Sequence, residues 1–273
     1  MILKSYIYLY QKIMLKLTLI IKKIRLTTIL QLFFLSFFTV SCNNLNFEIS
    51  EINGQNIKIL KSNEQNQDLE NLIKPYRNKI KNLSKVIGYS ETSMSINDGK
   101  LESSLGNFLA DILRDEVNPI FKELHGQSID FCILNKGGIR ASINKGPITQ
   151  YDLFKVMPFD NKSVIVKISG KDVINLINFI NKENKSHPTS GIKINFDENK
   201  INKILIQNSD FDPKKNYFVL TSDFLQNGGD NMFFLTNPID KYEIDLNIRD
   251  AFMKNILKKD TISGKKDKRL NRI

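Results

Sequence analysis

The sequence is poor in the residues that build redox and metal sites. Its 273 residues include two cysteines, two histidines and no tryptophan. One cysteine falls at the end of an export signal described below, so a disulfide in the mature chain is excluded, and a Cys/His zinc site is excluded by count. The other, Cys132, lies in the apolar run IDFCIL (129–134). With no histidine beside it in sequence, we expect a buried, inert thiol.

The charge balance does not point to nucleic acid. The net charge is +11, but residues 1–41 hold six basic residues and no acid, which leaves 34 basic against 29 acidic residues, or +5, in the rest. The segment KKDTISGKKDKRL (258–270) carries much of that remainder. We interpret 261–273 as a solvated basic tail and expect no nucleic-acid partner. The composition, with 41% hydrophobic and 25% charged residues, is typical of a globular chain.

Residues 1–41 predict a signal peptide. The basic segment KKIR (22–25) precedes the apolar segment LTTILQLFFLSFFTV (26–40). This apolar segment is shorter than the roughly 20 residues of a membrane span. Met14 offers an alternative start, which would give a signal of normal length and leave 1–13 untranslated.

The signal ends at Ser41-Cys42, and small residues before a cysteine resemble a bacterial lipobox, although Thr39 stands where leucine is usual. We expect lipid on Cys42 and an exported lipoprotein anchored to a membrane, facing the periplasm or the cell surface. The alternatives are an ordinary cleaved signal and an anchor helix.

The rest of the chain predicts one α+β domain with a mixed sheet and flanking helices, over residues 43–260. Residues 46–60 predict a hairpin around Asn53-Gly54. Apolar spacing predicts helices over 67–83, 102–121, 171–183 and 246–259. Ser103 or Ser104 would cap the second of these helices. Strand patterns cover 85–91, 129–134, 162–170 and 216–222.

Two strands each lead into a glycine pair, in NKGGIR (135–140) and in DFLQNGGD (223–230). A glycine pair permits positive φ and lets another molecule approach the backbone closely. A tight turn of structural use is the simpler interpretation of either pair alone. Because both turns carry polar residues, we expect them to form one pocket from Gly137, Gly138, Gly228 and Gly229.

The side chains around these turns suit a nucleotide. Asn135 offers a donor and an acceptor, as a base edge requires. Arg140 suits a phosphate, and the carboxylate of Asp230 suits ribose hydroxyls. Phe159, in VMPFDN (156–161), and Phe224 would stack on a base, unless both rings are core.

The series ESSLGNFLADIL, ILNKGGIR, GPIT, VMPFDN and YFVLTSDFLQNGGDN resembles the C-terminal domain of the 5'-nucleotidase family, which includes UDP-sugar hydrolases and 2',3'-cyclic nucleotide phosphodiesterases. The resemblance covers roughly residues 85–260. It implies that Phe159 and Phe224 stack on the base, that Asn135 meets the base edge, and that Asp230 binds the ribose. Arg140 would face the ribose and phosphate. Family members usually carry a second arginine where this chain has Leu101, with Lys100 beside it as the substitute candidate.

In that family, hydrolysis belongs to an N-terminal metallophosphoesterase domain with two divalent metals and an Asn-His-Glu motif. This chain has only His125 and His187 and lacks the motif, so we expect no catalytic residue, metal or cofactor in it. The resemblance implies zinc, manganese or a similar metal on a partner. The first hypothesis is the substrate-binding half of a nucleotide phosphohydrolase, completed by a separate metallophosphoesterase chain. The second is an exported lipoprotein that binds nucleosides or nucleotides without catalysis.

Overall fold

The computed structural model describes residues 2–38, 51, 53–58, 66–198 and 200–272. It divides into two units, Met1–Glu64 and Gln65–Ile273. In the first unit, helix α1 (Ile2–Phe38) includes the basic segment and most of the apolar segment of the predicted signal. Within the described ranges, no helix combines the length and apolarity of a membrane span. Cys42 and much of the hairpin predicted over 46–60 lie outside the described residues, and residues 53–58 form neither helix nor strand.

The second unit mixes helices with short strands. Its helices are α2 (Gln67–Leu83), α3 (Ser104–His125), α4 (Gln150–Val156), α5 (Gly170–Glu183), α6 (Asp223–Gln226) and α7 (Ile248–Lys259). Its strands are β1 (Val86–Ser90), β2 (Phe131–Ile133), β3 (Gly146–Thr149), β4 (Lys162–Ser169), β5 (Thr189–Ser190), β6 (Ile192–Asp197), β7 (Lys200–Ile206), β8 (Ser209–Asp210), β9 (Asn216–Ser222), β10 (Asp240–Asn247), β11 (Thr261–Ile262) and β12 (Leu270–Arg272).

The strands form three sheets rather than the one mixed sheet that the sequence predicts. The central sheet has five strands in the order β10-β4-β9-β2-β5. Within it, β2 and β9 are parallel, whereas β4 runs antiparallel to both β9 and β10. Two smaller sheets have the orders β11-β1-β3 and β12-β6-β7-β8, and each also combines parallel and antiparallel pairs. The predicted α+β class with mixed strand directions is confirmed.

Apolar side chains cover both faces of the central sheet, because successive residues of a strand point to opposite faces. Ile165 and Leu220 belong to one buried cluster, which also contains the apolar faces of α3 and α7. Val164 and Val219 belong to the other, which contains the apolar face of α5 and the inner face of β6. The sheet is therefore the middle layer of the domain, between two apolar clusters.

The helix boundaries follow their capping residues. The hydroxyl of Ser103 accepts a hydrogen bond from the backbone N–H of Gly106 at 3.1 Å, as expected of an N-cap of α3. The helix ends where Gly126 adopts a left-handed φ of 67°. At α5, Ser169 accepts from the backbone N–H of Asp172 at 3.2 Å. Local signals of this kind are why the predicted helices appear within a few residues of their observed bounds.

The solvated basic tail predicted for 261–273 is wrong. Strand β11 pairs with β1, and β12 pairs with β6, so the domain continues to residue 272. The guanidinium of Arg269 is buried and bonds both carboxylate oxygens of Asp111, at 2.8 and 2.9 Å. Leu270 is buried beside it in the core. The charge run concealed these features because the other partners of Arg269, apart from Asp267 within the run, lie far away in the sequence.

Candidate functional site

The two glycine turns lie at the same edge of the central sheet. The first follows β2 and the second follows β9, and these strands are parallel neighbours whose carboxyl ends reach one edge. The side-chain amide of Asn135 donates to Oδ2 of Asp230 at 2.7 Å, which joins the turns directly. The structure thus places the two quoted motifs in one site, although they are about ninety residues apart.

The second turn depends on left-handed backbone. Gly228 has a φ of 89°, Asp230 of 51° and Asn231 of 61°. Glycine adopts this region without steric cost, and Asp and Asn tolerate it better than other residues. At Gly229 the requirement is space, because an added Cβ would lie 2.4 Å from the ring of Phe224. The ring of Phe224 therefore rests against the backbone of the turn.

The first turn uses its glycines differently. It is a short 3₁₀ turn over Lys136–Gly138, and neither Gly137 nor Gly138 is among the glycines with positive φ. A Cβ at Gly138 would come within 2.8 Å of Oδ1 of Asn135. The small residue leaves room for the Asn135 side chain, which then reaches across to Asp230.

Phe159 and Phe224 line one pocket of about 130 Å³. The two residues are 40% and 44% exposed, so neither ring belongs to the core. The guanidinium of Arg140 lies 5.3 Å from the centre of the Phe159 ring, within the range of a cation–π contact. We call this pocket the clamp pocket; it is lined by Asn135, Gly137, Gly138, Arg140, Phe159, Asn161, Phe224 and Asp230.

Arg249 of α7 holds the segment that carries Phe159. Its Nη1 donates to the carbonyl oxygens of Met157 and Phe159, at 3.1 and 3.3 Å, and its Nη2 pairs with Asp160. Next to Phe224 in the sequence, Asp223 accepts from the backbone N–H of Lys162 at 3.2 Å, which ties α6 to the start of β4. The segments that carry Phe159 and Phe224 are thereby tied to α7 and to β4, respectively.

Sequence reasoning missed two residues of this site. Asn161 lines the clamp pocket and lies in the quoted motif VMPFDN, two residues after Phe159. Its position two residues after a predicted stacking ring was a sequence signal that could have identified it as a site residue. Arg249 has no local signal, because it is about ninety residues from the segment that it holds.

Lys100 is a predicted site residue that does not line the clamp pocket, as is also true of Gly228 and Gly229 in the second turn. It is exposed in a separate cleft with Lys266, Lys268 and Arg272. The neighbouring Leu101, at the position of the family's second arginine, is 6% exposed and packs in the core. The chain therefore brings no cation to the clamp pocket from this segment.

His125 and Cys132 lie outside the clamp pocket. Among the described residues, no group of three or more His, Cys, Asp or Glu side chains is arranged to hold a metal ion. The ring of His125 packs against Phe121 and Tyr242, with ring centres 5.1 and 4.6 Å away. Burial raises the pKa of the Cys132 thiol, so this cysteine is an inert core residue.

His187 is a buried, neutral histidine next to the first turn. It is 4% exposed, and burial lowers its pKa from 6.5 to about 4, with the nearby charge of Lys185 as the second cause. Its Nδ1 accepts a hydrogen bond from the backbone N–H of Lys136 at 3.4 Å. The proton of the neutral ring is therefore on Nε2, which has no hydrogen-bond partner among the described residues.

The fold and the clamp pocket define an α+β domain with a ligand pocket at the edge of its central sheet. Residues 85–236, more than half of the chain, match the family described as 5'-nucleotidase, C-terminal domain. The chain belongs to this family, as the quoted motifs predict.

Similar proteins cover the same region. Protein UshA of Escherichia coli is 27% identical over 212 residues, which are 71% of this chain and 35% of UshA. Endonuclease YhcR of Bacillus subtilis is 36% identical over 99 residues, which are 35% of this chain and 7% of YhcR.

Solved structures share the fold. The 5'-nucleotidase precursor from Thermus thermophilus aligns with a TM-score of 0.63 at 23% identity, over 75% of this chain and 43% of its own. The NAD nucleotidase of Haemophilus influenzae aligns with a TM-score of 0.59 at 18% identity, over 78% of this chain and 43% of its own. The chain thus spans about a third of UshA and less than half of either solved protein.

Proposed function

We propose that this chain binds the nucleoside part of a nucleotide, with the base between Phe159 and Phe224. The observation that carries the proposal is that two half-exposed rings, Phe159 and Phe224, line the same clamp pocket. Large aromatic rings gain most of their stabilisation when buried, and a base between them would bury both. Base–aromatic stacking contributes about 1–3 kcal/mol per base.

The polar groups of the clamp pocket suit the rest of a nucleoside. Asp230 is exposed and keeps a second carboxylate oxygen beyond the one that Asn135 engages, so it can accept from ribose hydroxyls. Asn135 is 8% exposed and donates to Asp230, which suits a residue that orients the carboxylate. Asn161 then supplies a donor and an acceptor for the base edge, a role that the sequence motifs assign to Asn135.

Calorimetric titration of the purified full chain with adenosine and with adenine tests this assignment. We expect adenosine to bind, and Asp230→Ala to weaken adenosine binding while leaving adenine binding unchanged. Thermal unfolding of the same samples checks that the variant is folded. Failure of the wild-type chain to bind adenosine at millimolar concentration would contradict the proposal.

The chain acts, in this proposal, as the substrate-binding half of a nucleotide phosphohydrolase in nucleotide catabolism. A separate metallophosphoesterase chain supplies the divalent metals, zinc or manganese, and the hydrolysis. Support comes from the family, whose curated relative UshA is about three times the length of the matched region, and from the lack of a metal-ligand cluster among the described residues.

The test is phosphate release from AMP or UMP in the presence of Mn²⁺ or Zn²⁺. We expect no release by the purified full chain, and release once a metallophosphoesterase chain that lacks this domain is added. Metal-dependent release by the chain alone, lost in Asp230→Ala, would show that the catalytic site was misplaced. Tight nucleoside binding without release in any such mixture would favour the second function, a binding lipoprotein.

We further propose that lipid on Cys42 anchors the exported chain to a membrane, facing the periplasm or the cell surface. The support is the basic and apolar segments that precede Ser41-Cys42 in the sequence. Cys42→Ala should release the protein from the membrane fraction or leave an unprocessed precursor. Membrane partitioning and size that do not change in Cys42→Ala would contradict the anchor.

A further inference from the structure

A second, larger pocket adjoins the clamp pocket. Its volume is about 450 Å³, and it shares three lining residues with the clamp pocket: Gly137, Arg140 and Asp230. A ligand held at Asp230 therefore lies at the border of both spaces. The additional polar lining consists of Asn97, Lys136, Glu183, Lys185, His187 and Asn231. We call this space the lysine pocket.

The charges of the lysine pocket leave cations without counter-ions. Its three cations are Lys136, Arg140 and Lys185, and its two acids are Glu183 and Asp230. Lys185 pairs with Glu183. In the portion of the chain that the structure describes, Lys136 and Arg140 form no ion pair with a carboxylate. The lysine pocket therefore carries an excess of positive charge.

The backbone around both lysines is fixed. Next to Lys185, the fully buried Ser186 donates from its hydroxyl to the carbonyl oxygen of Ile96 at 2.9 Å. The following His187 accepts the backbone N–H of Lys136 and packs against the ring of Phe179, with ring centres 5.7 Å apart. The histidine thus joins the two lysine-bearing segments, and both lysines line the lysine pocket.

The segment that should supply a cation by family resemblance does not do so. Leu101 is buried in the core, and Lys100 lines a different cleft. Lys136 and Lys185 belong to other parts of the chain, and neither is among the residues that the motifs predict. They occupy the space next to Arg140 where a charge-bearing substituent of the sugar would extend.

We propose that Lys136 and Lys185, with Arg140, bind the phosphate of the nucleotide in the lysine pocket, so that the chain prefers nucleotides to nucleosides. This inference rests on the proposed binding of a nucleoside in the clamp pocket. A phosphate monoester carries about −1.5 to −2 charges at pH 7, and lysine binds phosphate as a point charge. Both lysines are then specificity-determining residues of this chain.

The experiment compares AMP with adenosine by calorimetry, using wild type, Lys136→Met and Lys185→Met. We expect wild type to bind AMP about tenfold or more tightly than adenosine, and each variant to lose much of that preference. Adenosine affinity should stay unchanged in both variants. The preference should also weaken at high salt, because exposed charges are screened.

Two matched controls remove a lysine from outside the pocket. Lys182→Met changes an exposed residue in the last turn of α5, and Lys100→Met changes the position beside the family's second arginine. Both should keep the wild-type preference for AMP. Equal loss in Lys182→Met would overturn the proposal, because a general charge effect would then explain the result.

Other outcomes separate this inference from the proposed function. If wild type binds adenosine and AMP equally, or both lysine variants keep the preference, the phosphate subsite is wrong and the clamp pocket stands. Loss of the preference in Lys100→Met alone would place the phosphate in the other cleft and overturn the assignment. If wild type binds neither ligand, the proposed function itself fails.

Discussion

The first and second turns each contain a Gly-Gly pair, but the two turns require glycine for different physical reasons. In the first, Gly138 is small so that the side chain of Asn135 fits beside the backbone. In the second, Gly228 is in the left-handed region, with a φ of 89°, and Gly229 touches the ring of Phe224. One turn supports a polar cross-link, and the other supports an aromatic wall. A glycine pair in a sequence therefore predicts a turn without stating which physical limit requires the glycine.

The two turns also differ in the interactions that stabilise them. The first turn depends on a buried histidine, because the backbone N–H of Lys136 donates to His187. The second depends on the backbone conformation of its own residues, from Gly228 to Asn231. We therefore expect pH to affect the first turn more, and glycine substitution to affect the second more.

The largest expected effect is a loss of stability at acid pH through His187. Its folded pKa of about 4 lies below the ordinary value of 6.5, so the unfolded chain binds a proton that the folded chain excludes. Stability from this group is present above pH 6.5 and is lost as the pH falls to about 4. A difference of this size corresponds to about 3 kcal/mol. Burial and the charges of Lys185 and Lys136 lower the pKa, and Asp230 and Glu183 oppose them.

The measurement is the free energy of unfolding of wild type and His187→Asn at several pH values between 4 and 7. The asparagine keeps an acceptor oxygen for Lys136 and does not titrate in this range. The variant should lose less stability than wild type as the pH falls. Parallel pH profiles of the two proteins would contradict the assignment of this effect to His187.

The next largest effect is expected from truncating Phe224, the aromatic residue that rests against the second turn. Phe224→Ala removes one stacking ring, so nucleoside binding should weaken by about 5- to 150-fold, from about 1–3 kcal/mol per base. Because the side chain is 44% exposed, the melting temperature should fall less than in a core truncation. Calorimetry with adenosine and thermal unfolding separate the two quantities. A large loss of stability with unchanged affinity would place Phe224 in the core.

A smaller effect follows from the left-handed backbone of Gly228. Gly228→Ala introduces a side chain where φ is 89°, which should destabilise the domain by about 1–2 kcal/mol. Denaturant unfolding of the variant measures this difference. A stability equal to wild type would show that the second turn relaxes to another conformation without cost.

The smallest effect is expected at Gly137 in the first turn. Its φ is not positive, and an added Cβ would meet Oδ2 of Asp230 at an ordinary distance of 3.4 Å. Gly137→Ala should therefore change stability by less than about 0.5 kcal/mol. Measured beside Gly228→Ala, it is the matched control for the comparison. A loss as large as that of Gly228→Ala would remove the distinction between the two turns.

Much of the site could be predicted because its residues lie in short motifs next to strand ends. Phe159, Phe224, Asn135, Arg140 and Asp230 line one pocket, as expected. The residues that could not be predicted are those whose role depends on partners far away in the sequence. Arg249 holds the Phe159 segment from α7, and His187 meets the first turn from a loop about fifty residues away.

The same limit explains the error at the C-terminal segment. Arg269 belongs to a run of charges that is typical of a solvated tail. Besides Asp267 within the run, its carboxylate partner is Asp111 on α3, 158 residues earlier, and this distant pair is part of what makes residues 261–272 integral to the domain. A basic run can therefore be part of the fold when one of its residues is buried against a distant acid, as Arg269 is.

The sequence by itself determined the elements whose physics is local. Strand alternation sets which residues face each layer, capping hydroxyls set where α3 and α5 begin, and glycine pairs set where the chain turns. The tertiary structure decided which charges meet: Arg269 with Asp111, and Lys136 and Lys185 around one space in place of Lys100. The physical reason is range, because periodicity and capping act within a few residues, whereas burial and ion pairing depend on side chains that only the packed sheets bring together.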